Sequence, residues 1–287
     1  MTDGTITWRE LWGETERLVG DRPMARWICE EAAGLDGPAF LDALGEPATQ
    51  RMVHQLDSIV GRVRGGEPVQ YVLGHWAFRH LDLMVDRRVL IPRPETEQLV
   101  ELVLGRARDH GAPIRCADLG TGSGAIGLSL AAELPLDGTT VWLTDASADA
   151  LEVARANLIG LGQRAANVRF GEGSWFAALP VDLRGCFDLV VANPPYIAEG
   201  DTELDASVRD WEPSTALFAG ADGLDAVRAI VGDARAWLTP GGSLLLEIGH
   251  RQGADVARLL RAAGLCDVTI EPDLAGRERF AVASAPG

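Results

Sequence analysis

The chain of 287 residues is 47% hydrophobic and 24% charged, the balance of an ordinary soluble globular protein with room for one large domain or two smaller ones. No apolar run approaches a membrane span, and the opening MTDGTITWREL lacks the basic and apolar regions of a leader, so a cytoplasmic location with no membrane partner is expected. With 26 Lys+Arg against 42 Asp+Glu the formal charge is −16, which repels a DNA duplex and favours a neutral or basic partner.

The first seventy or so residues read as helices. Thr7-Trp8-Arg9-Glu10 has the form of a capping box and opens a helix running to about Val19. Asp21 caps a second, with Pro23 in its first turn and Gly34 at its end. Met52, Leu56, Ile59 and Val63 recur at helical spacing and predict a third over 48–64, stopped by Gly65-Gly66. From Val69 the period changes. Val69, Tyr71 and Leu73, then Leu81, Leu83 and Val85, alternate as strands on either side of Gly74 and the His75–His80 segment, which predicts a β-hairpin connector. In LIPRPETE, residues 90–97, two prolines stiffen the entry to a helix over 95–109; Glu95 and Glu97 read either as carboxylates at the positive end of its dipole, the favoured reading, or as cofactor-site groups.

Beyond Ile114 the pattern alternates. Strands are predicted at 114–119, 140–145, 167–171, 187–192, 243–248, 267–271 and 278–284, with helices near 125–134, 147–159, 222–238 and 251–263. Such alternation predicts an α/β fold built on a doubly wound, mostly parallel, seven-stranded sheet. The chain then divides into a helical domain over 1–66, the connector over 67–92 and the α/β domain over 93–287. Cys29, Cys116, Cys186 and Cys266 include no CxxC pair, and the histidines lack ligand spacing, so core thiols and no metal are expected.

DLGTGSGAIGLSLA, Asp118 to Ala131, passes directly from strand to helix. Gly120, Gly122 and Gly124, with Thr121 and Ser123 between them, allow a tight turn and let a ligand approach the backbone. Asp145 ends the next strand, where a carboxylate can accept both hydroxyls of a ribose. A nucleoside-type ligand at the carboxyl edge of the sheet follows. The loop also fits the dinucleotide pattern, so alone it does not separate NAD from S-adenosylmethionine. Asp118 reads either as an acid closing a strand or as a group reaching the ligand.

FDLVVANPPYIAEG, Phe187 to Gly200, begins as a buried strand and stops on two prolines, which cannot donate ladder hydrogen bonds. The Asn193 side-chain oxygen and the Pro194 carbonyl can each accept one hydrogen of a substrate NH₂, Pro195 stiffens the turn, and Tyr196 offers a flat face. The set is a clamp for a planar, amide-like nitrogen.

An Asn-Pro-Pro-Tyr turn here resembles the class I S-adenosylmethionine-dependent methyltransferases that act on NH₂ groups. EPVQYVLG, LIPRPETE, DLGTGSGAI, SWF, VVANPPYI, EPSTALFAG, GGSLLLEIG and AGRERF follow in order from about Gly66 to Phe280. In that order they are similar to the peptide chain release factor glutamine methyltransferases of the HemK/PrmC type. The resemblance implies S-adenosyl-L-methionine contacts along Gly120, Thr121, Gly122, Ser123 and Gly124, with Asp145 on the ribose and Trp175 beside the adenine. It also implies that Asn193 faces both cofactor and substrate, and that Asn193, Pro194, Pro195 and Tyr196 grip a glutamine of a class I release factor. A monomer is expected. Ser174 stands where an acid is common, and Trp211 replaces the usual Phe or Tyr. The first sixty residues match only as a helical segment, so nothing is carried over there. Trp175 also reads as one more core tryptophan among eight. An NAD-dependent oxidoreductase would leave the Asn-Pro-Pro-Tyr turn unexplained, and a DNA adenine-N6 methyltransferase conflicts with the acidic charge. A non-enzymatic binding module is disfavoured by the intact clamp, while a glutamine methyltransferase acting on a ribosomal protein remains open.

Overall fold

A computed structural model describes residues 6–202 and 204–287; residues 1–5, part of the opening read above for leader character, lie outside them. The chain forms two compact units. The first runs through His75 and takes in Asp205–Trp211; the second holds the remainder.

In the first unit α1 (Trp8–Val19) starts at the expected capping box: Glu10 N donates to Thr7 Oγ1, and Thr7 N donates to the Glu10 carboxylate at 2.9 Å. Asp21 caps α2 (Arg22–Ala33), accepting from Met24 N at 2.7 Å. A short α3 (Gly37–Asp42) precedes α4 (Gln50–Arg64), capped by Thr49. These helices enclose Ile28, Cys29, Phe40 and Leu56, with the Phe40 ring edge-on to Trp8 at 5.9 Å. The predicted strand over 69–73 is instead a helical turn, α5 (Val69–Leu73), entered from Pro68 and closed by left-handed Gly74. Val69, Tyr71 and Val72 are all buried, a helical pattern that a five-residue apolar run does not distinguish from strand alternation. The hairpin begins later, as β1 (His75–Phe78) and β2 (Leu81–Met84).

The second unit continues with α6 (Pro94–His110), β3 (Ile114–Leu119), α7 (Ala125–Glu133), β4 (Thr139–Asp145), α8 (Ala148–Leu158), β5 (Val168–Glu172) and β6 (Phe187–Ala192). After α9 (Ala206–Trp211), which belongs to the first unit, come α10 (Asp225–Trp237), β7 (Leu238–Glu247), α11 (Gly253–Ala262), β8 (Cys266–Pro272) and β9 (Glu278–Ser284). The seven strands lie in the order β5-β4-β3-β6-β7-β9-β8, parallel through β7, with β9 antiparallel to both its neighbours.

Helices cover both faces, which is why the strands read as near-continuous apolar runs. Cys116, Val191 and Leu245 pack with Leu99 and Leu128 in one core, and Ala117, Val190 and Leu246 with Ile230 and Val256 in the other. Of the cysteines, Cys29 and Cys116 are buried as expected, but Cys186 is half-buried and Cys266 exposed; all four are free. Among the described residues no helix is long and apolar enough to cross a membrane.

The strand order places the site. From β3 the chain moves outward to β4 and β5, then returns to β6 on the other side, so β3 and β6 flank a switch point where ligands bind at the carboxyl ends. Leu119 is opposite both Thr144 and Ala192, and Ala192 is opposite Leu246. One residue further on, Asp145, Gly120, Asn193 and Glu247 therefore form a row along that edge.

Candidate active site

A cavity of about 500 Å³ opens over Asp145, Gly120 and Asn193 of this row. Its floor is the glycine loop, which is held by backbone: Gly120 N and Thr121 N both donate to Thr144 O at 2.8 Å. Asp145 braces the same loop. Its Oδ2 accepts from Gly122 N and its Oδ1 from Ser147 N, each at 2.9 Å. Beneath the loop, Asp118 Oδ2 accepts from Thr121 Oγ1 at 2.5 Å and Gly127 N at 2.8 Å, while its buried Oδ1 has no partner. Burial pushes the Asp118 carboxyl up to about 7. Gly120 sits at φ +73, a left-handed backbone that favours glycine, and a Cβ there would lie 3.2 Å from the Trp175 ring.

The opposite wall is the turn after β6. Asn193 Nδ2 donates to Thr96 Oγ1 at 3.3 Å, and Thr96 Oγ1 donates to Glu247 Oε2 at 2.7 Å. Gln252 Nε2 donates to the backbone oxygens of Tyr196 and Gly223, both at 3.1 Å. Ile197 joins the segment after the helical turn at 214–216, with Ile197 N donating to Leu217 O and Ala219 N to Ile197 O, each at 3.0 Å. A second brace links Arg93 to buried Glu212 at 2.5 Å, and Glu212 also accepts from Ile91 N. Burial raises the Tyr196 phenol to about 12, with the Glu247 charge adding to the effect.

The release factor glutamine methyltransferase of Xylella fastidiosa (strain 9a5c) is 44% identical over 278 residues, covering 96% of this chain and 97% of that one. The chain belongs to the release factor glutamine methyltransferase family. A relative of the same name from Gloeobacter violaceus is 45% identical over 292 residues, with 97% and 96% of the two chains covered. Residues 18–74 match the PrmC N-terminal domain, and residues 100–210 match the methyltransferase small domain. The likeness therefore reaches into the N-terminal helices, which the motifs alone left unmatched. A crystal structure of a methyltransferase from Pyrococcus furiosus shares the fold, with TM-score 0.53 and 17% identity over 80% of this chain and 100% of that one.

Of the residues singled out from the family's motifs, Gly120, Thr121, Gly122 and Ser123 line the cavity together. Asp145, Trp175, Asn193 and Pro195 complete the set on its wall. Gly124, Pro194 and Tyr196 do not line it. Gly124 caps α7 at φ +87, a left-handed backbone that suits glycine, and a Cβ there would press on the Leu128 side chain. Pro194 is buried and Tyr196 half-buried. Glu95 and Glu97 lie in the first turn of α6, as the dipole reading expects, and Glu97 also accepts from Arg79 N at 3.1 Å. Sequence reasoning assigned nothing to Asn157, whose Nδ2 donates to Ser123 O at 2.9 Å while its side chain also bonds both backbone groups of Met84. Thr96 and Glu247 stood inside quoted motifs, LIPRPETE and GGSLLLEIG, but drew no role.

Proposed function

We propose that this chain transfers a methyl group from S-adenosyl-L-methionine to the side-chain amide nitrogen, N5, of the glutamine in the Gly-Gly-Gln motif of a class I peptide chain release factor. Family membership supports the reaction and the donor. The row itself supports the chemical reading: the Asp145 carboxylate, a glycine loop and an Asn-Pro-Pro turn stand side by side on one edge. The residues present fit the donor. The cavity bares loop backbone that side chains would otherwise cover, and Asp145 keeps free lone pairs beside it for ribose hydroxyls. Trp175 offers its ring to the adenine.

When bound, S-adenosylmethionine supplies a methyl group on a sulfonium, a good electrophile. The difficulty lies in the amide, whose nitrogen lone pair is delocalised into its carbonyl. In this reading the Asn193 side-chain oxygen and the Pro194 carbonyl accept the two amide hydrogens. They turn the lone pair toward the methyl and stabilise the positive charge that develops on nitrogen. Tyr196 backs the amide plane, and Pro195 holds the turn. No side-chain base is needed before attack, because the proton becomes acidic only afterwards. The N-terminal helices of residues 1–66 dock the protein substrate, the connector over 67–92 leads into the catalytic domain over 93–287, and the enzyme works as a cytoplasmic monomer.

The test is to incubate the full chain and labelled cofactor with purified release factors, ribosomal proteins and DNA, then locate the label. Label on the release-factor glutamine is expected; label on a ribosomal protein or DNA instead would refute the substrate. Asn193→Ala should slow transfer by roughly a hundredfold or more while calorimetry still shows saturable cofactor binding. A loss of less than about tenfold would sink the clamp.

A further inference from the structure

We propose that Thr96 and Glu247 are positioning residues that fix which end of the Asn193 amide faces the substrate. The inference rests on the reaction proposed above. Thr96, in the first turn of α6, is 3% exposed, and Glu247, the last residue of β7, is 1% exposed. A hydroxyl has a single proton. The Thr96 proton goes to Glu247 Oε2 at 2.7 Å, so toward Asn193 the hydroxyl can only accept. It therefore takes the NH₂ end of the amide, at 3.3 Å, and leaves the carboxamide oxygen on the other side. The flipped amide would set oxygen against oxygen with no proton between them. An acceptor clamp needs the orientation that Thr96 selects.

Packing alone does not account for a carboxylate at this position, since burying one is costly and a leucine would fill a strand end as well. Four other groups act on it: Arg93 and Glu95 from the start of α6, Tyr196 after β6 and Arg279 on β9. Arg279 is shared, pairing with Asp273 at 3.6 Å and donating to Ile248 O. Burial outweighs the two arginines and lifts the Glu247 carboxyl to about 7. Once protonated, Glu247 can donate to Thr96, and the hydroxyl proton is released to turn toward Asn193. The selection of the amide's orientation is then lost. Turnover should therefore decline as pH falls through about 7.

The test compares the full-length wild type with Thr96→Val, Thr96→Ser and Glu247→Gln, reading kcat, the cofactor KM and the pH profile on a release factor. Thr96→Val should lower kcat by about tenfold or more with the cofactor KM nearly unchanged, because only the orientation of one amide is disturbed. Thr96→Ser, which keeps the hydroxyl, should restore kcat to within about threefold of wild type. Glu247→Gln should abolish the acidic limb near pH 7, and it reads the same device if Thr96→Val does not fold. An active wild type with an unchanged Thr96→Val kcat, a serine variant no better than valine, or an acidic limb that survives in Glu247→Gln would each overturn the positioning role. A wild type that methylates no release factor would overturn the proposed function instead.

Discussion

Asp118 shows how one side chain under the glycine loop ties stability to pH. The folded chain holds this carboxyl's proton up to about 7, against an ordinary value of 3.8, because burial outweighs the hydrogen bonds from Thr121 and Gly127. Between those values the folded state binds more protons than the unfolded state. Its contribution to stability is thus full below the ordinary value and is lost as pH rises through about 7. Glu247 titrates in the same sense. The melting temperature should fall between pH 5 and 8, and Asp118→Asn should flatten that slope without removing the share due to Glu247. Thermal melts across the window check this; an unchanged slope in the variant would show that Asp118 does not bind the proton.

At the level of elements, the Asn-Pro-Pro-Tyr turn is held from behind by the segment that follows Leu217. Gly223, at φ +73, lies so close that a Cβ would come within 2.4 Å of Tyr196 O. Gly223→Ala should push the turn out of place and lower kcat by about tenfold or more, leaving cofactor affinity near wild type. Equal losses in both would point to general misfolding. Strands 114–119 and 187–192 are legible because helices bury both their faces, so each is a short, mostly apolar segment that ends on a Gly-rich or Pro-rich turn. The five residues Val69–Leu73 were not, since Pro68 and Gly74 bound a helical turn as well as a strand. The site divides along the same line. Gly120 and Asn193 follow strand ends and Asp145 closes one, so local pattern reveals them. The hydrogen-bond partners of the Thr96 side chain are Asn193, 97 positions away, and Glu247, 151 positions away, and no local pattern carries that pairing.

For the molecule as a whole, the net charge of −16 and the helical first unit bear on how a protein substrate arrives. If the N-terminal helices dock the release factor, a peptide with the same Gly-Gly-Gln forgoes that area and must also be ordered on binding. The intact factor should be methylated far faster than the peptide. Its rate should fall with added salt as steering toward basic residues near the target loop is screened. Side-by-side kcat/KM measurements over a salt series test this; equal values for peptide and protein would refute the docking role.

Pro194 and Pro195 have no N–H, so the clamp proposed here presents oxygen and nothing to balance it. A glutamine whose side chain has deamidated to glutamate would bring, in place of its NH₂, a second oxygen and a negative charge shared over both, against those acceptors. Sites built to hydrogen-bond an NH reject an analogue that lacks it, because their polar groups are left unpaired. Under the proposed clamp, methylation doubles as an inspection of the target: a release factor carrying glutamate there would leave unmarked, and the mark would report that the amide was intact when the two proteins met.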